Sequence, residues 1–284
     1  MRYLLGVTLL WAFSFSLIGV YLAGQVDAYF AVLSRVVLAL LVFLPFLLRY
    51  RGSMADAFKL ASLGAVQLGL MYIFYYQSFL LLSVPQVLVF TIFTPIYITL
   101  LYDLLSGRFN RRFLVAALLA VLAAAIMRDG LPAPDYWLGF AIVQGANLCF
   151  AAGQVGYKKF MEPKPEQHNQ HLQFGWFYLG ALMVALPAWL MLGQAQYPQT
   201  AVQWAVLGWL GLVASGGGYF WWNKGAAQVS SGTLAVMNNA LIPAGLLVNL
   251  LIWNRDADLL RLSAGLVILL FSLWLCRNTL LQEN

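Results

Sequence analysis

Charge is what this chain has least of. Only 9% of its 284 residues are Asp, Glu, Lys or Arg, while 62% are hydrophobic. A soluble domain is nearer half apolar and about a quarter charged, so the composition excludes a soluble globular protein and fits a polytopic membrane protein. Cysteine is nearly absent. Cys149 and Cys276 lie far apart in apolar segments, which argues against a disulfide framework or a metal site and reads them as small hydrophobes. The two histidines, His168 and His171, fall in one polar loop. The chain has no His-Glu-x-x-His, no Gly-x-Ser-x-Gly elbow, no paired aspartates within an apolar run and no phosphate-binding glycine loop. Those absences argue against an intramembrane enzyme and against ATP consumption by this chain. No catalytic residue, metal or cofactor is therefore expected. The net charge of +6 is not a nucleic-acid signal, because the basic residues sit mostly in short loops between apolar runs.

Those runs are what the chain has in abundance. The pattern predicts an all-α membrane protein with spans at roughly 4–23, 29–48, 60–82, 84–102, 113–127, 136–157, 174–192, 204–229, 233–253 and 262–276. About 20 residues are needed to cross the hydrocarbon core; the fifth and tenth runs are short and are expected to use flanking arginines at the interface. The first run is followed by no small-residue cleavage motif and is expected to stay as a span. Placing the N-terminus in the cytoplasm puts twelve Lys and Arg on the inner side, from Arg2 to Arg277, and three on the outer side, Arg128, Arg255 and Arg261. This bias predicts that both termini are cytoplasmic.

The two halves of the chain resemble one another. Ala39-Leu-Leu-Val-Phe-Leu-Pro45 matches Ala181-Leu-Met-Val-Ala-Leu-Pro187. Leu63-Gly64 and Tyr72 match Leu210-Gly211 and Tyr219, and Pro95 matches Pro243 at nearly the same offset. The expected organisation is a first repeat over 1–130 and a second over 131–284. Five spans per repeat force the halves to insert with opposite orientation, an inverted repeat typical of transporters with a site near the midplane.

Arg35 breaks the apolar run of the second span, where a guanidinium costs a few kcal/mol unless it is paired. No Asp or Glu lies deep in any run: Asp27 and Asp103 are at span ends. A buried cation without a protein anion points to an anion supplied from outside. The repeat puts Phe177 at the equivalent position in the seventh span, so the charge is not part of the symmetric scaffold.

Several stretches resemble a known family. They include Leu10-Trp-Ala-Phe-Ser-Phe-Ser16, Val26 to Arg35, Phe93-Thr-Pro95 through Asp103, Val155-Gly-Tyr-Lys158, Ala214-Ser-Gly-Gly-Gly-Tyr219 and Gly232 to Asn239. Together they resemble the drug/metabolite transporter superfamily, built from two EamA-type halves, and within it the branch of bacterial single-protein biotin importers. The resemblance implies a secondary transporter that imports biotin, a monoanion, across the inner membrane without a required partner subunit. An exporter of amino acids or small carboxylates with the same fold is the alternative. A zwitterionic amino acid would want an acidic partner for its ammonium, and the spans offer none.

For such a substrate, the residue chemistry nominates a set of contacts. Arg35 can grip a carboxylate with its planar fork. Asn147, Asn238 and Asn239 carry amides that complement a ureido ring. Consecutive helical residues point about 100° apart, so one of Asn238 and Asn239 is expected to face the cavity. Tyr72 and Tyr219, at matched positions in the repeat, could flank a flat ligand. Trp11 and Ser14 in the first span and Trp176 and Tyr178 in the seventh are further candidates, and Lys224 could guide an anion on the inner side. Gly216-Gly217-Gly218, Pro95 and Pro243 mark close packing or bends. With no acidic residue or histidine in a span, facilitated diffusion or exchange is expected rather than proton coupling.

Overall fold

A computed structural model describes residues 1–126, 137–163, 170–253 and 259–277. The boundary between 130 and 131, and Arg128, Lys164, His168 and Arg255, lie outside the described residues. Within them the chain is helical, with no strand. In chain order the helices are α1 (Arg2–Leu22), α2 (Ala28–Leu47), α3 (Met54–Leu81), α4 (Gln86–Ser106) and α5 (Arg111–Ile126). There follow α6 (Trp137–Met161), α7 (Gln170–Leu192), α8 (the consecutive segments Ala201–Trp209, Leu210–Gly217 and Gly218–Ala226), α9 (Ser231–Ile252) and α10 (Leu259–Cys276). Eight of these, all but α5 and α8, are long and apolar enough to cross a membrane.

Helix ends depart from the apolar runs because caps set them. α3 starts at Met54 rather than 60, since the Ser53 side chain accepts a hydrogen bond from the Ala55 amide at 3.1 Å. Asp27 caps α2 through the Phe30 amide at 2.7 Å. Thr200 and Gln203 form a reciprocal capping box that starts α8 at Ala201. Ser230 caps α9 through the Thr233 amide at 3.2 Å. Hydropathy marks the apolar stretch of each helix, while side-chain acceptors satisfy the free amides beyond it.

The helices gather their ends into two faces. At the face where α1 begins, the Lys224 ammonium lies 5.3 Å from the Tyr3 ring and Lys158 Nζ donates to the Val229 carbonyl at 2.9 Å. At the opposite face the Asp27 amide donates to the Gln196 carbonyl at 2.8 Å. Gln203 Nε2 there reaches the Tyr21 carbonyl and Gln25 Oε1 at 3.2 and 3.1 Å. Between the faces, α2 packs on α7 and α8, α3 on α6 and α7, α4 on α6 and α9, α1 on α8 and α9, and α5 on α10.

Lipid tails are as apolar as the helices, so helix association depends on close packing and hydrogen bonds rather than on hydrophobic burial. The α3–α7 crossing is the tightest expression of this. A Cβ placed on Gly64 would collide with the Phe177 carbonyl, and one on Gly180 with the Ala61 carbonyl. Both obstacles are backbone and cannot swing aside. Gly64→Ala and Gly180→Ala are each expected to destabilise the protein by about 1–3 kcal/mol, read as a lowered Tm in detergent. Gly6→Ala, with open space around it, serves as the unaffected control.

Candidate substrate-binding site

Helix breaks in the middle of the bundle create the site. In α8 the segment Leu210–Gly217 winds in wide π-type turns, which free carbonyls from the regular ladder. Neighbouring helices take them up. Trp11 Nε1 of α1 donates to the Ala214 carbonyl at 2.8 Å. The Tyr178 hydroxyl of α7 lies 2.8 and 2.7 Å from the carbonyls of Ser215 and Gly216 and donates to one at a time. In α4, a tight turn at Thr91–Phe93 precedes Pro95. The Phe90 carbonyl there accepts from Gln144 Nε2 at 3.0 Å and Asn147 Nδ2 at 2.9 Å. Asn239 Nδ2 satisfies the carbonyls of Ile92 and Ala120 at 3.1 and 3.0 Å. The helical run of α9 is broken at Ala240, between the segments Ser231–Asn239 and Leu241–Trp253, ahead of Pro243.

Arg35 projects from α2 into this region and is 2% exposed. Its Nε donates to Ser215 Oγ at 3.0 Å, and its terminal nitrogens donate to the hydroxyls of Tyr76 and Tyr72 at 3.2 and 2.6 Å. Tyr72 and Ser215 are themselves 2.7 Å apart, and the guanidinium carbon lies 4.2 Å from the centre of the Tyr72 ring. Among the described residues it has no carboxylate partner. Hydroxyl dipoles and a ring face hold the cation in place, but its charge is not neutralised. Three of the five N–H groups of a guanidinium are committed to these partners, so part of the fork remains for a ligand.

The cavity beside Arg35 encloses about 650 Å³ of empty space, open solvent at its mouth included. Its wall comes from the middle of α1 (Trp11, Ser14, Phe15, Ile18), α3 (Met71, Tyr72, Tyr75), α4 (Thr91, Thr94), α6 (Ala146, Asn147, Phe150), α8 (Tyr219) and α9 (Asn238, Leu241), with Arg35 from α2. Among the described residues the Ser14 hydroxyl has no hydrogen-bond partner. An aromatic layer lies on the side towards the α1 start: Trp11 sits 4.9 Å from Tyr219 and 5.0 Å from Trp222, and Phe150 stacks on Trp222 at 6.2 Å. Beneath it Gln154 joins Trp222 Nε1 at 2.9 Å and Asn238 at 3.2 Å.

Closer to that face, Tyr102 donates to Glu162 at 2.6 Å, and Lys158 and Lys159 pair with Glu162 at 3.5 and 2.9 Å. Partial burial alone would raise the Glu162 carboxyl, but the Tyr102 hydroxyl and the two lysines outweigh it and hold the group below its ordinary value. This cluster therefore stays ionised at neutral pH and loosens only as pH falls below the usual carboxylate range.

Of the residues nominated from the sequence, Arg35, Trp11, Ser14, Tyr72, Tyr219, Asn147 and Asn238 share the cavity wall. Four lie elsewhere. Asn239 turns towards α4 and α5, and Tyr178 caps the wide turn of α8. Trp176 packs 6.1 Å from Tyr50, and Lys224 lies over the rings of Tyr3 and Phe220. In the glycine run, a Cβ on Gly218 would press on Trp11 Nε1 at 2.8 Å, whereas Gly216 and Gly217 have ordinary clearance. Pro95 and Pro243 each sit just after a break in their helix. The sequence reading missed Thr91, Thr94 and Phe150 in the wall and Ser215 and Gln154 behind it. Gln154 could have been found as an amide within an apolar run; Ser215 could not, because the wide turn of α8 sets its direction.

Residues 1–128 match the EamA-like transporter family. The chain is 55% identical over 281 residues to a protein of Pseudomonas aeruginosa described as a probable biotin transporter, covering 98% of this chain and 97% of that protein. It is 52% identical over 281 residues to the biotin transporters of Salmonella typhimurium and of Escherichia coli strain K12, covering 98% of this chain and 93% of each. A solved crystal structure at 16% identity superposes over 100% of this chain and 98% of its own with a TM-score of 0.77, a likeness of fold.

Tyr178→Phe removes the hydroxyl that holds the wide turn of α8 and is expected to cost about 1–2 kcal/mol, seen as a lower Tm in detergent. Tyr21→Phe, which keeps the Tyr21 carbonyl that Gln203 uses, is the matched control and is expected to leave Tm unchanged.

Proposed function

The chain belongs to the EamA-like transporter family, and we propose that it is a secondary transporter importing biotin across the bacterial inner membrane by alternating access. It is a multi-pass membrane protein and not an enzyme. The observation that carries the substrate reading is Arg35: a buried cation without an anion at the edge of a mid-bundle cavity. The valerate carboxylate of biotin would meet the free part of the fork. Trp11, Tyr72, Phe150 and Tyr219 would pack against the bicyclic ring. Asn238, the Ser14 hydroxyl and the Asn147 carbonyl oxygen are suited to the ureido group, since both amide hydrogens of Asn147 are taken by Phe90 and Gln144.

Several features support an inverted repeat of five spans each, with α5 and α8 counted as spans. Swapping each helix with the one five places on reproduces the packing: α3 on α7 becomes α8 on α2, α4 on α6 becomes α9 on α1, and α3 on α6 becomes α8 on α1. Wide π-type turns occur at Ala65–Leu70 in α3 and Leu210–Gly217 in α8. Breaks precede Pro95 and Pro243 in α4 and α9. The excess of Lys and Arg at the face where α1 begins favours cytoplasmic termini. On that orientation the Trp11–Trp222–Phe150 layer, the Gln154 bridge and the Lys158–Glu162–Tyr102 cluster form the inner gate. Lys224 stands at that face to guide a departing anion. Facilitated diffusion or exchange accords with the lack of an acidic residue or histidine in the cavity wall.

Labelled-biotin uptake in a biotin-auxotrophic host, with and without this protein, tests the reading directly. Absence of added uptake, with export of amino acids in its place, would favour the exporter. Correctly inserted Arg35→Ala is expected to lose at least about 100-fold in apparent affinity, ~3 kcal/mol, with Arg35→Lys recovering part of it. Biotin methyl ester should compete poorly. Normal uptake by Arg35→Ala removes Arg35 from the mechanism.

A further inference from the structure

Gln67 is the least explained polar side chain in the structure. It is fully buried in the wide turn Ala65–Leu70 of α3, and among the described residues neither its amide nitrogen nor its carbonyl oxygen has a hydrogen-bond partner. Its stem packs against α6 where Gly153 leaves room, since a Cβ there would overlap the Gln67 side chain. A carboxamide with both ends unsatisfied in an apolar interior is costly, and a hydrophobe of the same shape would avoid that cost. Its position suggests a use. Gln67 lies one turn from Met71 and Tyr72 of the cavity wall, on the side towards the α1 start. On α8, Asn223 stands one turn beyond Tyr219 towards the same face. It too is fully buried, with its amide on the Tyr219 carbonyl at 3.0 Å and its Oδ1 without a partner among the described residues. Tyr72 and Tyr219, both in the cavity wall, meet edge to face at 5.7 Å, and each unsatisfied amide lies about one turn from one of them, towards the α1 start.

We propose that Gln67 is a second substrate station, on the far side of the Tyr72–Tyr219 contact, which receives a cyclic urea or similar amide-bearing ring when that contact opens. Gln67 offers one carbonyl acceptor and two N–H donors, the complement of the two N–H donors and one carbonyl of a ureido group. The ligand class rests on the biotin reading, while the placement of Gln67 on the path does not.

The test uses the full chain in proteoliposomes. Biotin counterflow by the unmodified protein tests the substrate reading alone. Gln67→Met keeps the shape and removes the hydrogen-bonding groups. It is expected to keep external biotin binding within about threefold, to hold or raise Tm, and to slow counterflow by about tenfold or more. Gln67→Asn should fall between. Counterflow at the unmodified rate in Gln67→Met overturns the proposal, as does joint loss of binding and Tm, which would mark a packing role. Should the unmodified protein not exchange biotin, the substrate reading falls, and a readout free of substrate decides the path. In a background of Cys149→Ala and Cys276→Ala, Gln67→Cys is expected to react with a membrane-impermeant thiol reagent supplied at the face where α1 begins. No labelling from that face overturns the placement.

Discussion

The triangle of Arg35, Tyr72 and Ser215 is the contact on which the rest of the bundle's centre depends. It ties α2, α3 and α8 together at hydrogen-bond distance, and Tyr178 extends it to α7 through the Ser215 and Gly216 carbonyls. Loss of any corner leaves the other two bonded to each other but each short of one buried partner, which is costly in a buried site. The cation is thus held by dipoles that fix its direction without cancelling its charge. An acidic partner in the chain would have done both and left nothing for an anion to do.

The second constraint is the bookkeeping of backbone carbonyls. Proline and the wide turns release them, and several of those near the site are met by a side chain from another helix. Asn147 and Gln144 serve Phe90, Asn239 serves Ile92 and Ala120, and Trp11 serves Ala214. These bonds let irregular backbone exist at mid-membrane depth, because it is buried in protein. The same bonds join distant segments, so the irregular points of the helices are also the points where helices are fastened to each other.

How much could be read beforehand follows from this. Long apolar runs separated by charged turns determine an all-helical membrane protein, since spanning length and hydropathy are local properties. Helix ends were less legible, because Ser53, Thr200 and Ser230 act as caps outside the apolar stretch. Arg35 was visible as a solitary cation. Its holders Tyr76 and Ser215 were not, because a wide turn far along the chain delivers Ser215. Asn147 and Asn239 look alike as letters. Asn147 lines the cavity while Asn239 faces other helices, and the difference lies in which freed carbonyl each amide can reach. Gln67 and Gln154, amides in apolar runs, could have been singled out as anomalies and were not.

The glycine crossing of α3 and α7 carries a mechanical meaning. Most helix pairs interlock through ridges and grooves, and turning one against the other requires side chains to climb past each other. At Gly64 and Gly180 the two backbones touch directly, with no ridges between them. Such a contact resists compression but offers little friction to tilt. For the alternating access proposed above, it would serve as a bearing about which the two helices pivot while the interlocked contacts around them rearrange.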